Sequence, residues 1–461
     1  MKTSKPSRRS AAASAAASAA GTAPPPAGAA AGAGASGMPQ ALRNPRPDRA
    51  SRALLRWMSL ARRRPADGWS LHSQRQAWRL VALAMGRRPR VANVSEWTIA
   101  GPGGPLELRV FTPTRSTSLR PAFLWCHGGG FVIGGLDTAD SICRAVALAA
   151  DCVTIAVRYR LAPEHDLHAS REDCMAALEW VARHAAALGV DPARLAIGGD
   201  SAGGNISAAV AQEALHRGGP ALALQVLVYP ATDLIEEFPS LFENSEGYFL
   251  DTAAIASVKR HLAGVLHGAE HPRLSPRRHP DLRGLPPALI VTAGFDPIRD
   301  DGLDYAARLR AAGVPVELLH YAGQFHGFMN FDSLLGAGRD AQARIGAGLA
   351  AAFKGQATPD RTIEIGDAAA PRERAPLAQH SADWLSMGLL AWIALGRWCD
   401  TLSRLAAPRT SAASGWLLRP MLAPAKFVGR RLGARLDRLA AIQTYAKERA
   451  AQRAIADTAG A

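Results

Sequence analysis

The segment LAIGGDSAGGN, residues 195–205, constrains the fold more than any other part of the sequence. A short apolar run ends in glycine, Ser201 lies between Gly199 and Gly203, and an alanine-rich segment follows at once. This order predicts a strand, a sharp turn and a helix, with small flanking residues so that neighbouring backbone does not collide. A serine on such a turn presents its hydroxyl at the top of a sheet. Ser201 is therefore a candidate nucleophile, although G-x-S-x-G also occurs by chance in glycine-rich chains.

Residues 100–355 alternate between strand-like and helical patterns. Such alternation predicts an α/β fold, in which a mostly parallel sheet is covered by helices on both faces. Ligands in these sheets bind beyond the carboxyl ends of the strands, where Ser201 is placed. The predicted strands are 106–111, 122–126, 152–157, 195–197, 222–229, 288–292 and 316–321, and the predicted helices are 139–150, 170–188, 202–216, 300–312 and 336–353.

A second motif, His127-Gly128-Gly129-Gly130, directly follows a predicted strand. Successive glycines let backbone N–H groups approach a ligand without Cβ atoms in the way, which suits an oxyanion hole. A merely flexible turn is the alternative, but a position beside the end of another strand argues against it.

A carboxylate and an imidazole complete the set of candidate residues. Asp296 and His326 each stand in a loop after a predicted strand. The chain order Ser, Asp, His is the one expected of an α/β-hydrolase. Asp300 and Asp301 are rivals for the acid role, but they open a predicted helix and are better explained as partners of its N-terminal dipole.

These motifs together resemble those of a known family. Residues from about 95 to 355 are similar to the bacterial branch of the hormone-sensitive lipase family, which comprises carboxylesterases with the α/β-hydrolase fold. The resemblance is carried by H-G-G-G-F at 127–131, Y-R-L-A-P-E-H at 159–165, G-D-S-A-G at 199–203, D-P-I-R-D at 296–300 and H-G-F at 326–328.

The resemblance implies a role for each candidate residue. Ser201 would be the nucleophile, Asp296 the acid and His326 the base. The oxyanion hole would consist of the backbone amides of Gly129, Gly130 and Ala202, with His127 and Gly128 supporting the loop. No metal or organic cofactor is implied, and the substrate would be a small ester with a short to medium acyl chain.

The family also implies a helical cap, which residues of about 47–90 and 232–270 would form. The sequence departs from the family after His165, where residues 166–169 read D-L-H-A instead of a proline-containing stretch. This departure leaves the candidate catalytic residues untouched and affects the local loop.

Two alternatives to an esterase remain. An amidase or aryl formamide hydrolase would use the same triad, because the oxyanion chemistry is shared. A non-catalytic small-molecule receptor on the same fold is disfavoured, since such a receptor is expected to have lost a triad member and this chain retains Ser201, Asp296 and His326.

The flanks differ in composition from the centre. We expect residues 1–46 to be a disordered low-complexity segment, 47–355 to be the hydrolase domain with its cap, 356–380 to be a linker, and 381–461 to be a basic helical extension. The net charge of +15 belongs to these flanks, since residues 100–359 are slightly acidic. Nucleic acid is therefore not an expected partner.

The uncharged run of residues 384–396 is too short to span a bilayer, which needs about 20 residues. The basic C-terminal helices are expected to pack on the domain or on another copy of the chain. The second hypothesis for these helices is peripheral contact with a membrane surface. The sequence leaves the oligomeric state open.

The cysteines bear on the compartment. The sequence holds five of them, without C-x-x-C spacing, which favours small buried residues in a reducing compartment over a disulfide framework or a zinc site. Arg8-Arg9 precedes an alanine run that makes a poor export signal, and Met38 is an alternative start. We therefore expect a cytoplasmic protein, with the inner membrane face as the site of any peripheral contact.

Overall fold

The computed structural model describes residues 37–61, 70–268 and 270–366. The greater part of the segment predicted to be disordered lies outside these ranges. So does the predicted basic extension at 381–461, together with Cys399.

Nine strands form a single sheet in the order β1-β2-β4-β3-β5-β6-β7-β8-β9. β2 runs antiparallel to both β1 and β4, whereas all the other pairs are parallel. The predicted mostly parallel sheet is thus confirmed. The strands are β1 (Asn93–Gly101), β2 (Gly104–Thr112), β3 (Arg120–Cys126), β4 (Val153–Val157), β5 (Val190–Asp200), β6 (Leu222–Val228), β7 (Ala288–Phe295), β8 (Val316–Phe325) and β9 (Arg361–Ile365).

Helices cover both faces of the sheet, which confirms the second part of the fold prediction. α3 and α9 pack in one hydrophobic cluster with α1 and α2, while α4, α5 and α8 pack on the opposite face. The helices are α1 (Arg49–Ala61), α2 (Leu71–Met85), α3 (Leu136–Ala150), α4 (Leu167–Arg183), α5 (Ala202–His216), α6 (Pro239–Glu243), α7 (Thr252–Leu262), α8 (Arg299–Ala311) and α9 (Gly336–Phe353).

The central strands are apolar because helices cover both faces of the sheet. In β3, Phe123 and Trp125 belong to the cluster on one face, whereas Leu124 and Cys126 belong to the cluster on the other. Successive side chains of a strand point to opposite faces, so a strand buried on both faces needs a continuous apolar run. The sequence of β3 could be recognised for this reason.

Two predicted boundaries are wrong. The predicted disordered segment includes residues 37–46, but the chain from 41 onwards lies along β8, where the N–H of Asn44 donates to the Ala322 carbonyl. The linker predicted from 356 contains β9, which pairs in parallel with β8. Five residues with two charges give a weak strand signal. The open edge of β8 supplies the hydrogen bonds that stabilise them.

Four cysteines, Cys126, Cys143, Cys152 and Cys174, are buried free thiols.

The departure from the family pattern at 166–169 has a local explanation, since the Asp166 side chain accepts the Ala169 N–H and caps α4. In the described ranges, no helix combines the length and the apolar character needed to cross a membrane.

Candidate active site

Ser201 occupies the sharp turn between β5 and α5, as the sequence predicts. Its backbone has φ 57° and ψ −118°, a positive-φ conformation that costs energy for a residue with a side chain. The turn is tight enough that a Cβ on Gly203 would collide with the carbonyl oxygen of Cys126, the last residue of β3. Small residues are therefore required around Ser201.

The structure brings Ser201, Asp296 and His326 together. His326 Nε2 lies 3.0 Å from Ser201 Oγ, and His326 Nδ1 lies 2.8 Å from Asp296 Oδ2. Asp296 is fully buried, and its Oδ1 accepts the Ile298 N–H at 2.9 Å. The three side chains come from the ends of β5, β7 and β8, so the sheet order sets their spacing.

The rival acids are bound elsewhere. Both stand in the first turn of α8, as predicted. Asp300 pairs with Arg299 at 2.7 Å. Asp301 accepts the Thr232 hydroxyl at 2.6 Å, and burial raises the pKa of Asp301 to about 7.

The glycine loop has the conformation that only glycine adopts easily. Gly129 has φ 125° and Gly130 has φ 61°. Among the described residues, the N–H groups of Gly129 and Gly130 have no backbone acceptor. Ala202 is the first residue of α5, where the N–H has no partner within the helix. All three line the same cavity as Ser201 and His326, so their amides are available to an oxyanion there.

His127 supports the loop from beneath. Its ring stacks on Tyr159 with centroids 4.2 Å apart, and the Tyr159 hydroxyl donates to the His127 carbonyl oxygen at 2.6 Å. Burial lowers the pKa of His127 to about 4, so the imidazole is neutral near pH 7. The neutral ring donates from Nδ1 to the Gly128 carbonyl at 2.9 Å and thereby fixes the start of the glycine loop.

Two further residues at the site were not singled out from the sequence. Asp200 is buried, and its Oδ1 accepts the Gly128 N–H at 2.8 Å. Asn330 directs its side-chain amide towards Asp200 Oδ2 and the Gly327 carbonyl. Desolvation raises the pKa of Asp200. Asp200 could have been found, because it stands inside the G-D-S-A-G motif, whereas Asn330 carries no such signal.

A cavity of about 500 Å³ opens onto Ser201. α2 contributes Trp78, and α7 contributes Ile255, Val258 and Leu262. These helices come from the two segments predicted to form a cap. Phe249 closes one side and stacks on Trp78 with centroids 5.5 Å apart.

Three acidic side chains of the cavity wall, Asp233, Glu236 and Glu237, are paired with basic side chains. Glu237 meets Lys259 at 3.3 Å, and Asp233 meets Arg277 at 3.0 Å and Arg278 at 2.8 Å. The cavity is therefore suited to an uncharged, largely apolar ligand. No group of three or more His, Cys, Asp or Glu side chains in the described part of the chain is arranged to hold a metal ion.

Comparison with known proteins places this geometry in a family. A family model described as an α/β-hydrolase fold matches residues 123–330, which include all three residues of the triad. Esterase LipI of Mycobacterium tuberculosis is 44% identical over 255 residues, which cover 54% of this chain and 79% of LipI. The chain belongs to the hormone-sensitive-lipase-like family of α/β-hydrolase carboxylesterases.

Other members of this carboxylesterase family agree with that assignment. A protein from Pseudomonas putida named ethyl acetate hydrolase is 34% identical, and the match covers 57% of this chain and 84% of that protein. A solved ester hydrolase from the metagenome of Lake Arreo has a TM-score of 0.64 and 37% identity, covering 66% of this chain and 99% of its own. The esterase of Pyrobaculum calidifontis has a TM-score of 0.61 and 37% identity, with 65% and 97% coverage.

Proposed function

We propose that this protein is a serine carboxylesterase that cleaves short- to medium-chain carboxylic esters through an acyl-enzyme on Ser201. The observation that carries the proposal is the continuous hydrogen-bonded series from Ser201 Oγ through His326 to the buried Asp296. Ser201 and His326 line an apolar cavity beside the glycine loop.

The acylation step uses the triad. His326 Nε2 accepts the Ser201 proton while Ser201 Oγ attacks the ester carbonyl carbon. Asp296 accepts a hydrogen bond from His326 Nδ1–H, which keeps Nε2 free to act as the base and stabilises the imidazolium that forms. The carbonyl oxygen becomes an oxyanion, and we assign its binding to the backbone amides of Gly129, Gly130 and Ala202.

Collapse of the tetrahedral intermediate and hydrolysis of the acyl-enzyme complete the cycle. His326 returns its proton to the leaving alcohol, and the acyl group stays on Ser201. Water then attacks the acyl carbon while His326 accepts its proton, and His326 returns that proton to Ser201 Oγ as the acyl–oxygen bond breaks, which releases the acid and restores the serine. These proton transfers need no group beyond the triad and the amides.

The cavity supports the substrate class. Val258 lies directly over Gly130, because a Cβ built on Gly130 would lie 2.8 Å from Val258 Cγ2. The space next to the oxyanion loop is therefore limited, which favours short acyl or alcohol groups over long ones. The largely apolar lining of the cavity favours neutral esters. The name of the Pseudomonas putida relative, ethyl acetate hydrolase, is consistent with this class.

The experiment that tests the proposal is hydrolysis of p-nitrophenyl esters from acetate to palmitate by the wild type and by Ser201→Ala. We expect the wild type to prefer short chains and the variant to lose at least about a thousandfold in rate while remaining folded. Near-normal turnover by the variant would refute the proposal. A folded wild type that hydrolyses a matched amide but not the ester would identify an amidase.

The predicted location of the protein is a separate proposal, which rests on sequence alone. We propose a cytoplasmic protein whose basic C-terminal segment contacts the inner membrane face. The full chain should then bind anionic liposomes at low salt and dissociate at high salt, because the Debye length shortens. Absence of binding at low salt would remove this idea.

A further inference from the structure

A short segment near the N-terminus lies along the end of β8 that leads to His326. We call residues 41–48 the N-terminal strap. The Asn44 N–H donates to the Ala322 carbonyl at 3.0 Å, and the Asp48 N–H donates to the Gly323 carbonyl at 2.9 Å. The strap precedes the residues that the family model matches, yet it meets β8 just before the candidate base.

A buried histidine anchors the start of the strap. His320 Nε2 lies 3.0 Å from the Ala41 carbonyl oxygen and 3.1 Å from that of Leu42. These acceptors require the proton on Nε2, so Nδ1 accepts from the Thr292 hydroxyl at 2.9 Å. The strap is thus attached through one neutral imidazole to both β7 and β8.

Arg43 connects the strap to the loop that carries Asp296. Its Nη1 donates to Asn244 Oδ1 at 3.0 Å, and its Nε lies 2.6 Å from Glu243 Oε1. The fully buried Asn244 in turn donates from Nδ2 to the Asp296 carbonyl at 3.1 Å and towards the Gly294 carbonyl at 3.4 Å. Only one side chain therefore separates Arg43 from the backbone of the candidate acid.

Arg299 closes the network from the other side. This arginine is almost fully buried and pairs with Glu243 Oε2 at 2.7 Å. Its Nη1 donates to the Gly294 carbonyl at 3.2 Å and reaches the Leu42 carbonyl at 3.4 Å. Glu243 thus holds two arginines, one from the strap and one from α8, against the same three-residue stretch of backbone.

We propose that Arg43 and Asn244 are positioning residues, which hold the backbone of residues 294–296 so that the Asp296 carboxylate stays on His326 Nδ1. The inference rests on the proposed esterase function. Arg43 and Asn244 act on the reaction through Asp296 and touch no reacting atom. The position of the Asp296 carboxylate matters because a misplacement of a catalytic group by about 1 Å can lower the rate on the order of a hundredfold.

The test compares Arg43→Ala and Asn244→Ala with the wild type in the full chain, using p-nitrophenyl acetate. We expect kcat to fall about ten- to hundredfold, with KM within about twofold, because the cavity wall is unchanged. The double variant should lose less than the product of the two single losses, since both residues act on the same stretch of backbone. Arg46→Ala is the matched control, because Arg46 lies in the strap with an exposed side chain, and it should retain full kcat.

Two conservative variants separate positioning from general stability. Asn244→Asp keeps the acceptor for Arg43 but places a carboxylate against two carbonyl oxygens, so it should be at least as impaired as Asn244→Ala. Arg43→Lys keeps the charge beside Glu243 and should recover part of the lost kcat. Active-site titration with a fluorophosphonate should give the same fraction of reactive Ser201 in every variant.

A spectroscopic measurement reports on the Asp296–His326 contact itself. The downfield proton resonance of His326 Nδ1–H should be broadened or moved in Arg43→Ala and Asn244→Ala, and unchanged in Arg46→Ala. Wild-type kcat in Arg43→Ala and Asn244→Ala, or an unaltered resonance together with reduced kcat, would overturn the inference. Activity in Ser201→Ala would instead refute the proposed function, so the two failures are distinguishable.

Discussion

The carboxylate of Asp200 accepts the backbone N–H of Gly128 at 2.8 Å, so the residue before Ser201 holds the loop that faces it. Nucleophile and glycine loop come from different strands, β5 and β3, which are neighbours in the sheet. This bond adds to the direct pairing of β3 with β5 and ties the start of the glycine loop to the residue before the nucleophile. The side chain of Asn330 approaches the second carboxylate oxygen at 3.5 Å, so the carboxylate is held from two directions.

Asp200→Ala should lower kcat without removing Ser201 reactivity. The substitution leaves the buried Gly128 N–H without an acceptor, and the amides of Gly129 and Gly130 lose their fixed orientation. We expect a loss of about ten- to a thousandfold, comparable with removal of one oxyanion donor. Asp200→Asn still offers an oxygen to Gly128 and should be much less impaired. Equal losses in the two variants, measured by steady-state ester hydrolysis, would contradict this explanation.

Asp296→Asn should abolish most activity while leaving the fold intact. The asparagine oxygen can still accept the Ile298 N–H, which leaves its amide group facing His326 Nδ1. That contact favours the tautomer with the proton on Nε2, which cannot accept the proton of Ser201. We expect a fall in kcat of about ten-thousandfold. Circular dichroism gives the control for folding, and a loss below about tenfold would count against Asp296 as the acid.

Val258→Ala should extend the range of esters that the protein accepts. Removal of two methyl groups next to Gly130 opens space beside the oxyanion loop. We expect kcat/KM for hexanoate or octanoate esters to rise several-fold relative to acetate, since each buried methylene contributes about 0.8 kcal/mol. Gly130→Ala is the opposite change and should lose activity, because its new Cβ would meet Val258 at a positive φ. An unchanged chain-length profile in Val258→Ala would show that this side chain sets no limit.

The stability of the protein should fall as pH rises through the range in which Asp301 ionises. Burial raises the pKa of Asp301 to about 7 from the ordinary 3.8, so between these values the folded state holds a proton that the unfolded state releases. The free energy of unfolding therefore decreases with rising pH in this window. Asp301→Asn carries no such proton. Its side-chain oxygen can accept the Asp233 N–H, and its amide group can donate to the Thr232 hydroxyl.

Urea unfolding at pH 4.5 and pH 8 measures this effect as a difference between the two proteins. We expect the stability of the wild type, relative to Asp301→Asn, to fall by at most about 4 kcal/mol between these pH values. A tenfold difference in proton affinity between the folded and unfolded states corresponds to about 1.4 kcal/mol, which sets that upper bound. A difference that does not change with pH would show that Asp301 ionises normally in the folded state.

The strand-and-turn elements around the site were predictable because each carries a local signal. β3 and β7 contain continuous apolar runs at 122–126 and 288–291, and Ser201 and the glycine loop stand directly after strands. The sequence does not predict β9, because three of its five residues are polar and the strand depends on pairing with the edge of β8. The sequence does not predict β1 either, and in the structure this strand lies at the edge of the sheet with only Ile99 buried.

The supporting network could not be predicted for a different reason. Arg43 and Asn244 are about 200 residues apart in the sequence, and neither stands in a motif. An arginine in a polar segment and an asparagine after a short helix are ordinary at the surface of any protein. Only the fold brings them to the backbone of Asp296, so the contact exists in three dimensions and leaves no periodic or local trace in the sequence.

The triad is distributed over β5, β7 and β8, with β6 lying between the first two. A slip of one residue in the pairing of β7 with β8 would displace the acid relative to the base by about 3.3 Å, more than a hydrogen bond tolerates. Reactivity of Ser201 towards a fluorophosphonate is thus a sensitive reporter of sheet registry. During refolding, chains that have regained helical content but not strand alignment would remain unlabelled. The extent of labelling therefore measures the fraction of chains in which the sheet has formed with its native registry.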